Sequence, residues 1–544
     1  MTIETSVKDK PNDLFDQAID NISRYGDTDI FPFPIENSLF YDIKKDVKRL
    51  LQKIDKEFQK YIEDYPVEKH SSCIPVGIGG YRWATQIDPI WNAYFLYLVL
   101  SIHEDIETSR ISIAKDVVHS YRVNIDSDYP KFFDPKYNWR TFMDKTMEFA
   151  ELEEFKFVVK FDIGDFYNRV YHHRLENILN RITSNTIAVK RIMTILKSLS
   201  LNASYGLPIG GNASRILAEL LLTSTDNFII NKRIAFCRFV DDFVMFAPSK
   251  EEAFSYLNSV ADYLLKNEGL SIQKTKTQIL SCSEYIGQVK NILQGDDEPE
   301  SIERSSFMRL HIHFDPYSMN ADEQYEDLKE NLSKFNVLKL LKDELRKSKI
   351  QQAMGKQLLN AISHLEGEKL GLAFQAISVN IEAFYPIIPS VFIMVQKCLK
   401  NAPIEFQNQF VRSICSLIDS NSYLLQSENN AAFAARVLSL SDLDEATQAI
   451  VLLHSSRSSS LVRTNCIYAM INKKIYYWLS DQKTSFATLG RPERRAFIAA
   501  SYFLGDEGKH WRSSVKRQLT DLELLAIDWV SEKQPLTTNW KLPL

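Results

Sequence analysis

The feature that most restricts the fold is a pair of adjacent aspartates within an apolar stretch, residues 234–247. Apolar residues on both sides of Asp241 and Asp242 predict a β-hairpin with the two acids at its turn. One aspartate there would be ordinary, since Asp is a common turn residue. Two carboxylates about 4 Å apart repel by roughly 4 kcal/mol at an effective dielectric of about 20. A divalent cation turns this repulsion into attraction, so the pair indicates a metal site.

A third acid lies at the end of a second predicted strand, farther upstream. Residues 156–163 are mostly apolar and contain several β-branched residues, which is typical of a buried strand. The stretch closes on Asp162, with Gly164 just beyond it. A carboxylate buried at that position costs free energy unless a cation compensates it. The alternative is that Asp162 caps the next predicted helix, residues 165–179.

Together, the three acids predict a site for two divalent ions. Carboxylates are hard oxygen ligands, which Mg²⁺ prefers, and Mg²⁺ keeps positions for water and substrate phosphate. Two such ions about 3.5–4 Å apart activate a 3′-hydroxyl and stabilise the leaving pyrophosphate in nucleotidyl transfer. We therefore predict that Asp162, Asp241 and Asp242 are catalytic metal ligands, with Mg²⁺ as the cofactor and Mn²⁺ as the alternative.

Two further segments accompany the acids. Residues 206–219 form a glycine- and proline-containing loop followed by a predicted helix, which lets the backbone approach a flat partner closely. An ordinary loop-to-helix junction explains this segment equally well. Residues 270–277 follow another predicted helix and carry Lys274 and Lys276. These lysines are candidates to contact triphosphate oxygens, and the alternative is that they are surface lysines.

The composition is that of a soluble globular protein with several domains. The 544 residues are too many for one hydrophobic core. The net charge of −5 confines nucleic-acid contact to a local basic groove, because proteins that coat nucleic acid are usually basic. The six cysteines lack a CxxC pair or zinc-type spacing, which favours free thiols in a reducing compartment. The longest apolar stretch, residues 94–102, is too short to span a bilayer, so we expect a cytoplasmic protein without membrane contact.

Four segments are expected along the chain. Residues 1–70 combine a polar tail with an amphipathic helix, and residues 71–292 hold the predicted strands and the acids. A turn-rich acidic stretch predicts a linker or connecting segment at residues 293–317. Residues 318–544 have helical periodicity nearly to the end and predict packed helical hairpins resembling a solenoid. The clearest predicted helices are residues 370–384, 389–399, 405–418 and 445–454, and Pro386, Pro389 and Pro403 mark stops and starts among the first three.

The order of these motifs resembles that of reverse transcriptases. The segments similar to the family's motifs A, B, C and D are, in order, residues 162–167, 206–219, 239–242 and 270–277. The resemblance extends over about residues 75–285. It implies an α+β right-hand polymerase fold, with reverse transcriptase fingers and palm, followed by an all-α, helical-repeat-like C-terminal domain.

The resemblance also implies roles for single residues. The first acids of motifs A and C bind both metals, which gives that role to Asp162 and Asp241, with Asp242 close by and the Ile163 carbonyl as a further ligand. The fifth residue after the motif A acid, Tyr167, corresponds to a steric gate that selects deoxynucleotides; packing against the helix is the alternative. The other residues implied in substrate binding are Phe166, Arg122, Gly210 and Lys276.

Among reverse transcriptases, the motifs resemble most those of the bacterial abortive-infection and unknown-group defence enzymes. These enzymes carry an α-helical C-terminal domain instead of a conventional thumb, and the similar segments are residues 211–219 and 494–512. Retroviral motif B usually reads Pro-Gln-Gly, whereas this chain has Pro208-Ile209-Gly210 and lacks that amide. Retron enzymes usually have an alanine in motif C, where this chain has Val240.

The resemblance implies antiphage defence through DNA synthesis from dNTPs. Some members polymerise without a template from a protein hydroxyl, and others copy or require a noncoding RNA. Because members form trimers and hexamers, a homo-trimer or homo-hexamer is expected. Two alternatives stay open: a catalytically silent RNA-binding scaffold, and a polymerase that makes RNA. No motif singles out one of the 24 tyrosines as a priming residue.

Overall fold

The protein forms two compact units, each built from non-contiguous pieces of the chain. The computed structural model describes residues 13–26, 30–76, 80–125, 132–294, 304, 306–308, 310, 331–347, 350–536 and 540–544. The palm unit comprises Met1–Asp29, Glu36–Lys69 and Thr85–Leu293, and the helical unit comprises Ile30–Ile35, His70–Ala84 and Gln294–Leu544. The expected linker at 293–317 lies largely outside the described residues, and the division into four segments stays a prediction.

The palm unit opens with short helices whose apolar residues recur at three- and four-residue spacing. In α3, for example, Val47, Leu50, Leu51 and Ile54 are buried while Arg49 and Lys53 are exposed. Helix α5 is buried on nearly every side, as its almost continuous apolar sequence predicts. These helices are α1 (Leu14–Tyr25), α2 (Glu36–Asp42), α3 (Lys44–Lys56), α4 (Phe58–Asp64), α5 (Pro89–Leu100) and α6 (His103–Ser109).

A four-stranded antiparallel sheet forms the centre of the palm unit. The strands lie in the order β4-β5-β3-β6 and all three pairings are antiparallel. This arrangement confirms the buried strand predicted at residues 156–163 and the hairpin predicted at residues 234–247. The strands are β3 (Phe157–Asp162), β4 (Ala235–Phe239), β5 (Asp242–Ala247) and β6 (Gln278–Ser281), while β1 (Lys69–Pro75) and β2 (Tyr81–Ile87) pair separately.

Helices cover this sheet and hold its strand ends in place. Helices α7 (Trp139–Ala150) and α13 (Cys282–Gln294) supply residues that pack against strand residues in one core cluster. Helix α12 (Lys250–Tyr263) contacts β3 and β5, and α11 (Asn212–Asn231) contacts β4. The core cluster includes Phe142, Val158, Val244, Phe246 and Val289.

The helix predicted at residues 165–179 is interrupted, which is a correction to the sequence reasoning. Two helices occupy this region, α8 (Phe166–Arg169) and α9 (His172–Ile182), and α10 (Thr186–Leu199) follows. The Val170 carbonyl accepts a 2.9 Å hydrogen bond from the Gly206 amide, and this distant partner ends α8. The N-cap residue of α8 is Asp165, so the alternative role of Asp162 as a helix cap is wrong.

The C-terminal part of the chain is all-α, as predicted. From α16 onward the helices make extensive contacts with the next helix but one: α16 with α18, α18 with α20, α17 with α19, α19 with α21, α21 with α23 and α23 with α25. Such stacking of successive helices is typical of helical-repeat architecture. The helices are α14 (Val337–Leu345), α15 (Gln352–Ile362), α16 (Gly367–Val379), α17 (Ile388–Cys398), α18 (Ile404–Asp419), α19 (Glu428–Leu438), α20 (Asp444–Ser456), α21 (Ser460–Asn472), α22 (Tyr476–Asp481), α23 (Arg491–Ser501), α24 (Gly505–Val515) and α25 (Asp521–Leu536).

One apolar helical stretch is longer than residues 94–102, the longest apolar stretch identified from the sequence. Within the described residues, Ile381–Asn401 is long and apolar enough to cross a membrane by length and composition alone. It joins a 3₁₀ segment, helix α17 and a second 3₁₀ turn, and 50% of its apolar window is buried inside the structure. A buried core helix passes the same test.

The helical unit contains a buried histidine that should make its stability depend on pH. His454 packs edge-on against Trp478, and burial followed by the charge of Arg463 lowers its pKa to about 4. The unfolded chain has a histidine pKa of about 6.5. Between these values only the unfolded chain takes up the proton, so the free energy of unfolding should fall by up to about 3 kcal/mol as the pH drops from about 6.5 to about 4.

Urea unfolding of the full chain at several pH values measures this effect. His454→Phe removes the titrating group, so its unfolding midpoint should depend less on pH over this window than that of the wild type. His173→Gln is the control, because that side chain is 63% exposed. An unchanged pH dependence in His454→Phe would contradict the assignment.

Candidate active site

The three sequence-predicted acids come together at one end of the palm sheet. Asp162 ends β3 and lies opposite Asp242, the first residue of β5, in the antiparallel register. Asp241 is in the two-residue turn between β4 and β5, and its carbonyl accepts a 3.2 Å hydrogen bond from the Ile163 amide. Facing residues in antiparallel strands have Cα atoms about 4.5–5.5 Å apart. Residues far apart in sequence therefore place three carboxylates within electrostatic range of one another.

Burial and repulsion between neighbouring carboxylates disfavour the ionised forms of Asp241 and Asp242. Burial, followed by the charges of Asp162 and Asp242, raises the pKa of Asp241 to about 7. Burial and then the charge of Asp162 also raise the pKa of Asp242. Like charges that share a site commonly produce such shifts, and strongly shifted groups cluster in functional sites. A cation bound at the acids would remove the part of both pKa shifts that comes from repulsion between the carboxylates.

A lysine ammonium lies at these acids. Lys276 Nζ forms a salt bridge and hydrogen bond with Asp162 Oδ2. Burial disfavours the ammonium, but Asp162 and then Asp242 outweigh burial and raise the pKa of Lys276. The Lys276 side chain is 63% exposed, so solvent screens the pair. The sequence predicts that Lys276 contacts a triphosphate; the structure places it on an acid, and the substrate contact stays a prediction.

The acids fit a divalent ion by ligand type and by charge. Asp162 Oδ1 is buried and has no hydrogen-bond partner among the described residues. Carboxylate oxygens are the hard ligands that Mg²⁺ and Mn²⁺ prefer. As the side chains stand, no group of three or more His, Cys, Asp or Glu in the described part of the chain is arranged to hold a metal ion. In this arrangement Lys276 neutralises part of the charge that a metal would otherwise meet.

Beside the acid-bearing turn lies a buried network of ionic groups that the sequence reasoning missed. Its members are each at most 5% exposed: Arg110, Ser120, Glu219, Asp226 and Arg238. Glu219 accepts hydrogen bonds from Arg110 Nη2 at 2.8 Å and Ser120 Oγ at 2.6 Å, and Arg238 Nη1 lies 3.1 Å from it. Arg238 also donates to both Asp226 oxygens, at 2.8 and 2.7 Å.

The charges in the buried network balance. Burial disfavours the Arg238 guanidinium, but Asp226 and Glu219 outweigh burial and raise its pKa. A buried charge whose partner is removed is strongly destabilising, so these groups depend on one another. A signal was present in the sequence: Glu219 and Asp226 are seven residues apart on one helix face, and Arg238 interrupts an apolar strand.

The predicted steric gate, Tyr167, lies within electrostatic range of one of the acids. Burial, followed by Tyr121 and Glu219, raises the pKa of Tyr167, and the charge of Asp241 adds to the shift. Its carbonyl accepts a 2.8 Å hydrogen bond from the Leu207 amide, which ties motif A to motif B. Phe166 is 2% exposed and its ring contacts Tyr167 edge-on at 5.5 Å. The two aromatic residues are thus packed together, and their substrate contacts stay predictions.

Arg122 lies in a different setting from the one its predicted role suggests. It is 4% exposed, and its guanidinium donates to Glu107 at 3.1 Å and to the Ile111 carbonyl at 2.6 Å. Burial, followed by the charge of Arg110, lowers its pKa. These contacts favour a structural role, and a triphosphate contact for Arg122 stays a prediction.

Gly210 has a backbone conformation that explains its residue type. Its φ is +133°, in the region that glycine adopts readily and other residues rarely do. The neighbouring Ile209 carbonyl accepts a 2.9 Å hydrogen bond from the Thr85 amide, which fixes the loop in front of α11. A role for Gly210 in substrate binding stays a prediction.

Comparison with known families identifies the domain that holds these acids. Residues 114–297 match the family model described as reverse transcriptase (RNA-dependent DNA polymerase). The matched stretch includes all three aspartates, Tyr167 and Lys276. The chain therefore contains a reverse transcriptase domain, the class of nucleic-acid polymerase that its motif order predicts. No curated protein matches the chain significantly.

Two telomerases are among the solved structures that match the chain. The telomerase of Candida albicans, solved with a fragment of telomeric RNA, is 11% identical and has a TM-score of 0.27, over 76% of this chain and 70% of that chain. The apo telomerase of Candida tropicalis is 12% identical and has a TM-score of 0.28, over 76% of this chain and 74% of that chain. These TM-scores are too low to relate individual residues.

Proposed function

We propose that this chain is a DNA polymerase that joins deoxynucleotides by two-metal nucleotidyl transfer at Asp162, Asp241 and Asp242. The observation that carries the proposal is the convergence of three carboxylates at one end of a sheet within a reverse transcriptase domain. Placing three mutually repelling acids together costs free energy. In a polymerase, the cations that serve catalysis would offset this repulsion.

The roles of the residues follow from their chemistry. Asp162, Asp241, Asp242 and the Ile163 carbonyl would hold Mg²⁺ or Mn²⁺, which supplies Lewis-acid stabilisation of phosphoryl oxygens and activates a hydroxyl nucleophile. Lys276 has a long, largely exposed side chain. It can therefore turn from Asp162 to an incoming triphosphate without disturbing the core. The positive φ of Gly210 shapes the motif B loop, whose backbone would face the nucleotide.

The proposed biological role is antiphage defence by abortive infection, in the cytoplasm and without membrane contact. Support comes from the resemblance of residues 211–219 and 494–512 to defence reverse transcriptases, together with the all-α C-terminal part. The partners proposed with it are dNTPs, a nucleic-acid product and, in one variant of the proposal, a templating noncoding RNA. Template-independent synthesis primed by a protein hydroxyl is the other variant. A homo-trimer or homo-hexamer is proposed as the assembly.

A direct assay tests the proposal. Full-length protein supplied with Mg²⁺ and dNTPs should make DNA, and chelation of the metal should stop synthesis. Protein isolated from expressing cells should be examined by intact-mass spectrometry and by sequencing of its nucleic acid, which together reveal covalently attached DNA, its base composition and any copied RNA. The proposal fails if the wild type makes no DNA with or without cellular RNA.

The principal alternative is a catalytically silent scaffold that binds RNA. Under this alternative, RNA would crosslink to the protein and Asp241→Ala would keep full protection against phage. Under the proposed function, the same substitution abolishes both synthesis and protection. The burial and mutual repulsion that raise the pKa of Asp241 favour the enzyme, because a scaffold has no use for acids placed in this way.

A further inference from the structure

The residue before the paired acids has a strained backbone. Val240 opens the two-residue turn with a φ of +54°, in the left-handed region that β-branched residues rarely adopt. Conformations of this kind persist only where the surrounding structure holds them, and they concentrate at functional sites. Because Asp241 comes next, the conformation of Val240 decides where the acids point.

Two buried side chains form hydrogen bonds with the backbone amide and the backbone carbonyl of Val240. The Val240 amide donates to Ser120 Oγ at 3.0 Å, and its carbonyl accepts from Arg238 Nη1 at 2.9 Å. Ser120 and Arg238 are both 0% exposed. Water is therefore excluded from these two bonds and cannot replace either partner if it moves.

Glu219 contacts both Ser120 and Arg238. Its Oε1 accepts from Ser120 Oγ at 2.6 Å, and its Oε2 lies 3.1 Å from Arg238 Nη1. Arg110 Nη2 completes the set by donating to Oε2 at 2.8 Å and to the Ser120 carbonyl at 2.8 Å. Glu219 is itself 0% exposed and comes from helix α11, outside the hairpin.

We propose that Glu219 is a positioning residue for the active site: it fixes Ser120 and Arg238, which hold Val240 in its left-handed conformation and so direct Asp241 and Asp242. The role requires no contact between Glu219 and substrate. The expected effect of Glu219 on the rate of synthesis rests on the proposed polymerase function. The expected effect of Glu219 on the geometry of the acids does not depend on that function.

Glutamine at position 219 tests this role with little change of shape. A carboxylate accepts on both oxygens, whereas an amide accepts on one side and donates on the other. In Glu219→Gln the amide nitrogen faces either the two arginines, which only donate, or Ser120 Oγ, which must then stop donating to residue 219, and in both cases the arginines lose a negative partner. The resulting misplacement of the turn should lower kcat by roughly 100-fold and leave the KM for dNTPs nearly unchanged.

A second substitution separates positioning from general stability. Glycine adopts the left-handed conformation freely, so Val240→Gly removes the need for the turn to be held. In a double-mutant cycle, adding Val240→Gly to Glu219→Gln should recover about tenfold in kcat. The matched control is Glu268→Gln, because Glu268 is 4% exposed and hydrogen-bonded to Arg174 at 2.9 and 3.1 Å. Adding Val240→Gly should not rescue this control.

A readout independent of activity is the affinity for Mn²⁺ alone, measured by electron paramagnetic resonance. Glu219→Gln should weaken Mn²⁺ binding by about tenfold and Val240→Gly should restore it, whereas Glu268→Gln should bind like the wild type. Wild-type kcat and Mn²⁺ affinity in Glu219→Gln would overturn the inference. So would equal losses in both glutamine variants with no rescue. A wild type that makes no DNA would end the proposed function, and the Mn²⁺ titrations would still decide the role of Glu219.

Discussion

Asp241→Asn is expected to lower the rate of DNA synthesis by at least roughly 1,000-fold while the palm unit stays folded. The amide keeps the shape of the carboxylate and removes its negative charge. Because burial and two neighbouring acids already raise the pKa of Asp241, removing its charge relieves repulsion in the folded protein. Thermal stability measured with a chelator should therefore be unchanged or higher. Primer extension or dNTP incorporation at saturating Mg²⁺ measures the loss of activity.

The control for this prediction is Asp262→Asn, which removes an exposed carboxylate from the same unit. Asp262 pairs with Lys266 on the surface of α12 and is 58% exposed. Its loss should leave the rate of synthesis unchanged, because exposed pairs contribute little. Activity retained in Asp241→Asn would show that the convergence of acids is not catalytic. If Asp241→Asn lost both its activity and its folded state, the stability measurement would identify misfolding as the cause of the loss.

The acids were predictable because their signal is local. Apolar runs that include β-branched residues identify the strands, and a charged residue at the end of a buried strand stands out from its neighbours. Antiparallel pairing then brings Asp162 opposite Asp242, which the order of motifs implies without giving the register. The all-α C-terminal part was predictable for the same reason, since amphipathic periodicity and proline positions are local features.

The features that the sequence reasoning missed depend on contacts between distant residues. The break between α8 and α9 depends on the Gly206 amide, which lies beyond α10. The buried network joins residues from four places in the chain, two of them on α11, and their pairing depends on contacts that the spacing of Glu219 and Asp226 alone does not reveal. The helical unit likewise takes Ile30–Ile35 and His70–Ala84 from the N-terminal region, which no linear division into segments anticipates.

For Arg122, the family resemblance implies a substrate-binding role, whereas the contacts in the structure favour a structural one. The resemblance implies a triphosphate contact, because the fingers of related enzymes carry a basic residue in a similar segment. The contacts with Glu107 and Ile111 instead give its charge and its two terminal nitrogens partners inside the fold. Lys276 differs from Arg122 in being exposed, and it is the better placed of the two to reach a substrate.

Tyr167→Ala is expected to weaken discrimination against ribonucleotides by about 10- to 200-fold, the range that steric differences in a pocket usually give. Tyr167 lies within electrostatic range of Asp241, whose charge contributes to the raised pKa of the tyrosine. A nucleotide bound there would bring its 2′-carbon towards the ring, and alanine would leave room for a 2′-hydroxyl. The ratio of kcat/KM for dNTP and rNTP incorporation measures the change.

Tyr167→Phe separates the ring from the hydroxyl. If the ring excludes the 2′-hydroxyl by its size, phenylalanine should keep the selectivity of the wild type while alanine loses it. If Tyr167 only packs the helix against Phe166, both variants should keep their sugar selectivity, and alanine should lower the free energy of unfolding instead. Unchanged selectivity in a folded Tyr167→Ala variant would remove the reason for assigning deoxynucleotides as the substrate. The proposed polymerase would then be as consistent with making RNA as with making DNA.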